Sequence, residues 1–201
     1  MQSHRRQPPL VWLCCLFLAL SVPALCVASA QAQQVFHTQS ATIYYEDPGS
    51  LREMEHRLRF SQAKQFSQSY FYTQDPVQAA LSPGLAAKID GLLVKVCLLL
   101  GKWPQKPQGL RIFLLKDGKQ VQQRQLVFQP FQNGGPSWFG YGRLEAFYEP
   151  RTHSIFLSLE DLHAGILAHE LAHFVLCESF AVPPPAALQE DWARYVESSL
   201  D

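Results

Sequence analysis

The sequence predicts an α+β fold in which helices pack on a small mixed sheet, and three observations carry that prediction. Short runs of β-branched, aromatic and apolar residues end at turn signals. Longer segments repeat apolar residues at helical spacing. The two kinds of segment are interspersed, with no internal repeat and no low-complexity linker.

Phe36 to Tyr45 is rich in β-branched and aromatic residues and closes at Asp47-Pro48-Gly49, which predicts a strand. Leu51, Met54 and Leu58 recur at helical spacing, and Glu53 with Arg57 and Glu55 with Arg59 sit at i,i+4 on an exposed face. This helix is expected to reach about Tyr72. A second helix is expected from Ser82-Pro83, with Ser as N-cap and Pro in the first turn, through Ile89, Leu92, Leu93, Val96 and Leu99 to Gly101. Leu110 to Leu115 reads as a strand closed by Asp117-Gly118. Gln129 to Gly142 is rich in Gly, Pro and aromatics and reads as a loop; Trp138, Phe139 and Tyr141 either line a cleft or pack there. Leu144–Tyr148 and Ser154–Leu159 flank Glu149-Pro150-Arg151-Thr152-His153, the pattern of a hairpin with a longer turn. A nearly all-apolar helix comes next, from about Leu162 to Cys177. Pro183-Pro184-Pro185 breaks it, and a last helix covers roughly Ala187 to Leu200.

The chain has 201 residues, 47% hydrophobic and 17% charged, a mix that fills a core and does not resemble disorder. Formal net charge is zero, and no basic run stands out beyond Arg5 and Arg6. That argues against a nucleic-acid partner held by phosphate neutralisation.

Residues 1–32 read as an export signal: His4, Arg5 and Arg6, then the apolar run Leu10–Leu20, then the small-residue patterns Ala28-Ser29-Ala30 and Ala30-Gln31-Ala32. The apolar run is short for a bilayer span and Pro23 breaks its continuation, so no stable membrane span is expected after cleavage. The expected product is a domain of residues 33–201, exported to a bacterial periplasm or secreted. It loses Arg5 and Arg6, leaving 15 basic against 17 acidic side chains, a net charge of −2. Of five cysteines it keeps Cys97 and Cys177, which either pair in an oxidising compartment or stay as buried thiols.

His169-Glu170-Leu171-Ala172-His173 is an H-E-x-x-H motif. On a helix, positions i and i+4 share a face, so both imidazoles reach one metal ion. Glu170, beside the first ligand, is placed as general base toward a water that zinc acidifies. Leu162, Ile166, Leu167, Leu171, Phe174 and Val175 bury the helix, and two His and a Glu without partners would be costly there. A catalytic zinc takes three protein ligands and keeps one position open. Glu190, on the helix after the proline loop, is the best third candidate, and Asp191 competes. Glu178 lies too near the motif to fold back. The oxyanion donor stays open among Tyr195, Tyr141, Tyr148 and His153. His37, His56, His153 and His163 share no ligand spacing and read as surface or turn residues.

The segment from Ile155 to Val196 resembles the gluzincin-type zinc metallopeptidases, in particular the bacterial peptidase MA-like domains. These share an edge strand, a helix like Leu167-Ala168-His169-Glu170-Leu171-Ala172-His173, a Pro-containing loop and a second helix opening with a ligand Glu. The family's second helix reads Trp-Leu-x-Glu-Gly-x-Ala-x-Tyr, and Glu190, Ala193 and Tyr195 fall on its Glu, Ala and Tyr. The resemblance implies a zincin-like fold, with His169, His173 and Glu190 as Zn2+ ligands and Glu170 as general base. It makes Ser154–Leu159 the edge strand that pairs with an extended peptide. Asp191 stands where relatives have Gly, and Ala187 near their Trp. Arg194 stands where many place an acid that orients a ligand His; Glu197 and Asp191 are the available substitutes.

The expected function is zinc-dependent hydrolysis of a peptide or protein substrate. The alternative is a catalytically weak or inactive metal-bound binding domain of the cell envelope. Arg194 and the short stretch after the last helix favour the alternative. Glu170 favours the enzyme, because a purely structural zinc site does not need it.

Overall fold

The computed structural model describes residues 33–60, 84–105, 109–128 and 144–200, all in the unit Ala32–Asp201. In chain order the elements are β1 (Gln34–His37), β2 (Ala41–Tyr45), α1 (Pro48–Arg57), α2 (Leu85–Leu100), β3 (Leu110–Leu115) and α3 (Gly118–Phe128). Then come β4 (Ala146–Glu149), β5 (Ser154–Ser158), α4 (Ala164–Ser179) and α5 (Ala186–Ser198). The five strands form one mixed sheet in the order β1-β2-β3-β5-β4. The β1/β2 and β4/β5 pairs are antiparallel, and β3 runs parallel to both β2 and β5.

Alternation along the central strands divides the sheet into two faces. Ile43, Ile112, Ile155 and Leu157 point into the main core with Leu51 and Met54 of α1, Ile89 and Val96 of α2, and Leu167, Leu171 and Phe174 of α4. The opposite face is aromatic. Tyr44, Phe113, Phe156 and Phe147 stack in a row across β2, β3, β5 and β4, with successive ring centroids 4.6, 4.8 and 4.8 Å apart. Val121 and Phe128 of α3 cover that row.

Several expectations are corrected. Phe36–Tyr45 is two strands, because the chain turns at Thr38-Gln39-Ser40. Asp90 of α2 stabilises that turn by accepting from Thr38 Oγ1 at 2.8 Å and from the backbone N–H groups of Gln39 and Ser40. The first helix ends at Arg57; residues 61–83, including Tyr72, Ser82 and Pro83, lie outside the described set. Described α2 opens on Gly84, whose φ of 104° is a backbone that favours glycine. Helix α3 is additional. The loop 129–142 also falls outside the described residues. Ser154–Ser158 is interior and buried along its whole length, and among the described strands the edges are β1 and β4. An Ile155-Phe156-Leu157 run has apolar side chains on both faces and needs cover on both. Cys97 and Cys177 are free thiols, and burial pushes Cys97 up to about 12.

The predicted hairpin at 144–159 and the two C-terminal helices stand where the pattern placed them, within two or three residues. Among the described residues no helix is long and apolar enough to cross a membrane.

Phe156 sits in the middle of the aromatic row and is 3% exposed. Phe156→Ala is expected to cost about 3–5 kcal/mol of stability by leaving a cavity between two rings, measured by denaturant unfolding. A loss under about 1 kcal/mol would show that the row carries little of the sheet's stability.

Candidate metal centre

Helix α4 lies on the inner face of the sheet, and only one of its ends is capped by a side chain. His163 occupies the N-cap with extended backbone, and its Nδ1 accepts from the N–H groups of Gly165 and Ile166 at 3.1 and 3.4 Å. Ala168, Leu171, Ala172 and Val175 are fully buried, which presses the helix onto the core. His169 and His173 stand at i and i+4 on the side facing α5, their ring centroids 5.1 Å apart. Helix α5 is held there by Ala193 and Val196, both fully buried.

The carboxylate of Glu190 lies between the two rings. Its Oε2 is 3.5 Å from His169 Nε2, and its Oε1 is 3.5 Å from His173 Nε2. Among the described residues, His169, His173 and Glu190 are the one group of three or more His, Cys, Asp or Glu placed to hold a metal ion, with ligand atoms within 4.8 Å of one another. Asp191 is exposed and outside this group.

The opposite ring nitrogens are also engaged. His169 Nδ1 is 3.2 Å from Glu197 Oε2, and His173 Nδ1 is 3.4 Å from Gln189 Oε1. Gln189 Nε2 donates to the Pro184 carbonyl at 2.7 Å, which orients its Oε1 toward His173 and leaves it as the acceptor. Cys177 Sγ donates to the same Oε1 at 3.6 Å. Gln189 Oε1 therefore accepts from His173 Nδ1, which in the neutral ring leaves an Nε2 lone pair facing Glu190, while His169 stands between two carboxylates, Glu197 at Nδ1 and Glu190 at Nε2. A lone pair facing a carboxylate is repulsive unless a positive charge lies between them. Protonation of His173 is opposed, because burial, reinforced by neighbouring His169, lowers its pKa. A divalent cation there would remove the repulsion without protonating His173.

Two of the three spacings in the group bear on such an occupant. Nitrogen and oxygen at 3.5 Å are too far apart for a good hydrogen bond. Tetrahedral ligands about 2.0–2.1 Å from zinc lie roughly 3.4 Å from one another. The donor set of two imidazoles and one carboxylate matches a catalytic zinc site, which keeps a further position open. The His169 and His173 side chains are 18% and 14% exposed and that of Glu190 is 46%, so the cluster is walled by α4 and open beside α5.

Glu170 is the buried carboxylate beside this cluster. Desolvation, then repulsion from Glu190, pushes it up to about 8, partly offset by the Tyr148 backbone N–H of edge strand β4 and raised again by Glu197. A cation at the cluster works in the opposite direction and favours the ionised form.

Arg194 is exposed, and Glu197, a further turn along α5, is the acid that meets His169. Gln189 is an additional partner, bonded to His173; its only sequence signal is its place directly before the candidate ligand. Of the oxyanion candidates, the Tyr148 hydroxyl is buried without a hydrogen-bond partner, near Cys177 and Glu178. His153, in left-handed backbone at φ 48°, pairs with Glu178 at 3.0 Å. Tyr195 is half exposed on α5, and Tyr141 lies outside the described residues.

No family model, no curated protein and no solved structure matches the chain.

His163→Ala is expected to lower stability by about 1 kcal/mol, because two N–H groups at the start of α4 lose their acceptor. His163→Ser, which retains an acceptor, is expected to recover most of that in the same unfolding titration. Equal losses in both variants would assign the effect to packing instead of capping.

Proposed function

We propose that the protein is an exported zinc-dependent hydrolase of peptide bonds, with zinc held by His169, His173 and Glu190. The observation that carries the reading is the double placement of both histidines: Nε2 toward Glu190, Nδ1 toward Glu197 or Gln189. Acceptors at Nδ1 hold the tautomer that leaves Nε2 free as a ligand. Zinc bound there supplies a Lewis acid for the scissile carbonyl and lowers the pKa of a coordinated water.

The chain's own groups supply the rest. Glu170, one residue after the first ligand, takes a proton from the attacking water and passes it to the leaving amine. Its burial keeps that carboxylate out of competition with bulk water. β4 flanks Glu170 and is an edge of the sheet among the described strands, the side on which an extended peptide adds as a further strand. The gluzincin-like order of strand, motif helix, proline loop and ligand helix supports peptide as the substrate class. Export rests on residues 1–32 alone.

Glu170→Gln tests the chemistry. It is expected to keep one zinc per chain and to lower turnover of an unstructured protein substrate such as casein by about 10²–10⁴-fold. Turnover equal to wild type would remove Glu170 from the reaction. Zinc bound with no turnover in either form would favour the second reading, a metal-bound binding domain.

A further inference from the structure

Gly165 sits in the first turn of α4 without a backbone reason to be glycine. It is absent from the positive-φ glycines, which are Gly84 and Gly101. Glycine is also among the poorest helix formers, so a helical position that carries it needs another explanation. The space above it supplies one. A Cβ there would lie 3.2 Å from Glu197 Cγ, and 2.9 and 3.0 Å from Cε1 and Nδ1 of the His163 ring. The stem of Glu197 thus lies against the bare backbone of Gly165, while its Oε2 reaches His169 Nδ1 at 3.2 Å. Gly165 and His169 are i and i+4, one above the other on the same helix face.

We propose that Gly165 is a positioning residue: its missing side chain makes the space through which Glu197 reaches and orients His169. The inference rests on the metal reading for its purpose, and on geometry for its substance. It explains how this chain manages with Arg194 in the usual position of the orienting acid. Glu197 stands three residues further along α5, and it reaches the ring because α4 presents no side chain in its way. The His163 cap draws on the same gap, since its ring crosses Gly165 to reach the first N–H groups. An alanine at 165 displaces Glu197, the cap or both.

The experiment uses the full chain and two readouts. In metal-free protein, ¹⁵N NMR of the neutral His169 ring reports which nitrogen carries the proton. In parallel, titration with zinc alone gives the affinity. Wild type is expected to hold the proton on Nδ1. Gly165→Ala is expected to shift His169 toward a tautomer mixture and weaken zinc binding about 10–100-fold. His163→Ser/Gly165→Ala, which removes the ring from the clash and keeps a capping acceptor, is expected to show the same loss. Glu197→Ala is expected to match it, and adding Gly165→Ala to His163→Ser/Glu197→Ala to change nothing further, because both groups that contest the space are then gone. Wild-type tautomer and affinity in Gly165→Ala would overturn the proposal, as would losses that simply add in the triple variant. A His163→Ser/Gly165→Ala chain that fails to fold and is not rescued by Glu197→Ala overturns it too. If wild type binds no zinc but the tautomer obeys this cycle, the positioning role stands and the metal reading falls.

Discussion

Two imidazole Nε2 atoms converging on one carboxylate are the arrangement on which the rest of the C-terminal half depends. It is held from behind at both Nδ1 atoms and is not an accident of loose side chains. Gln189 is held by the Pro184 carbonyl, and the stem of Glu197 is packed on Gly165. The Nδ1 partners dictate where each Nε2 points, and both point to Glu190. The packing of α4 against α5 then serves one geometrical end, a gap of ligand dimensions between two imidazoles and a carboxylate.

The remainder of the fold supplies a rigid wall behind that gap. The aromatic row on the outer face of the sheet and the aliphatic residues on its inner face clamp β5 and β4 between α3 and α4. Helix α4 can carry Glu170 and two histidines because its other sides are buried aliphatics whose burial offsets the desolvation of the polar ones. Arg194 is turned to solvent, and the acid that meets His169 is Glu197, whose stem lies over Gly165 in the first turn of α4.

Much of this was legible in the sequence where a local rule decides. The His169 and His173 spacing, the apolar residues around them, the proline break and the acidic start of the next helix are all short-range signals. They placed Glu190 opposite the histidines, as the structure does. The hairpin around Pro150 was legible for the same reason. Long-range facts were not. Which strand is the edge depends on pairing partners, and Ser154–Ser158 proved central because β3 and β4 flank it. Helix α3 escaped because its inward positions are Val121, Gln125 and Phe128; the helical spacing is there, but a glutamine in the middle hides the apolar stripe. The strand expected over Phe36–Tyr45 divides because Asp90, about 50 residues away, binds the Thr38–Ser40 turn. Gly165 reads as a weak spot in a helix until Glu197 is seen lying on it.

The central claim, a metal held between α4 and α5, is tested most directly by elemental analysis of zinc in the purified wild-type protein beside Glu190→Ala. The account predicts about one zinc per chain in wild type and almost none in the variant, because the carboxylate between the two Nε2 atoms is then gone. No zinc in wild type, or stoichiometric zinc that survives Glu190→Ala, would contradict it.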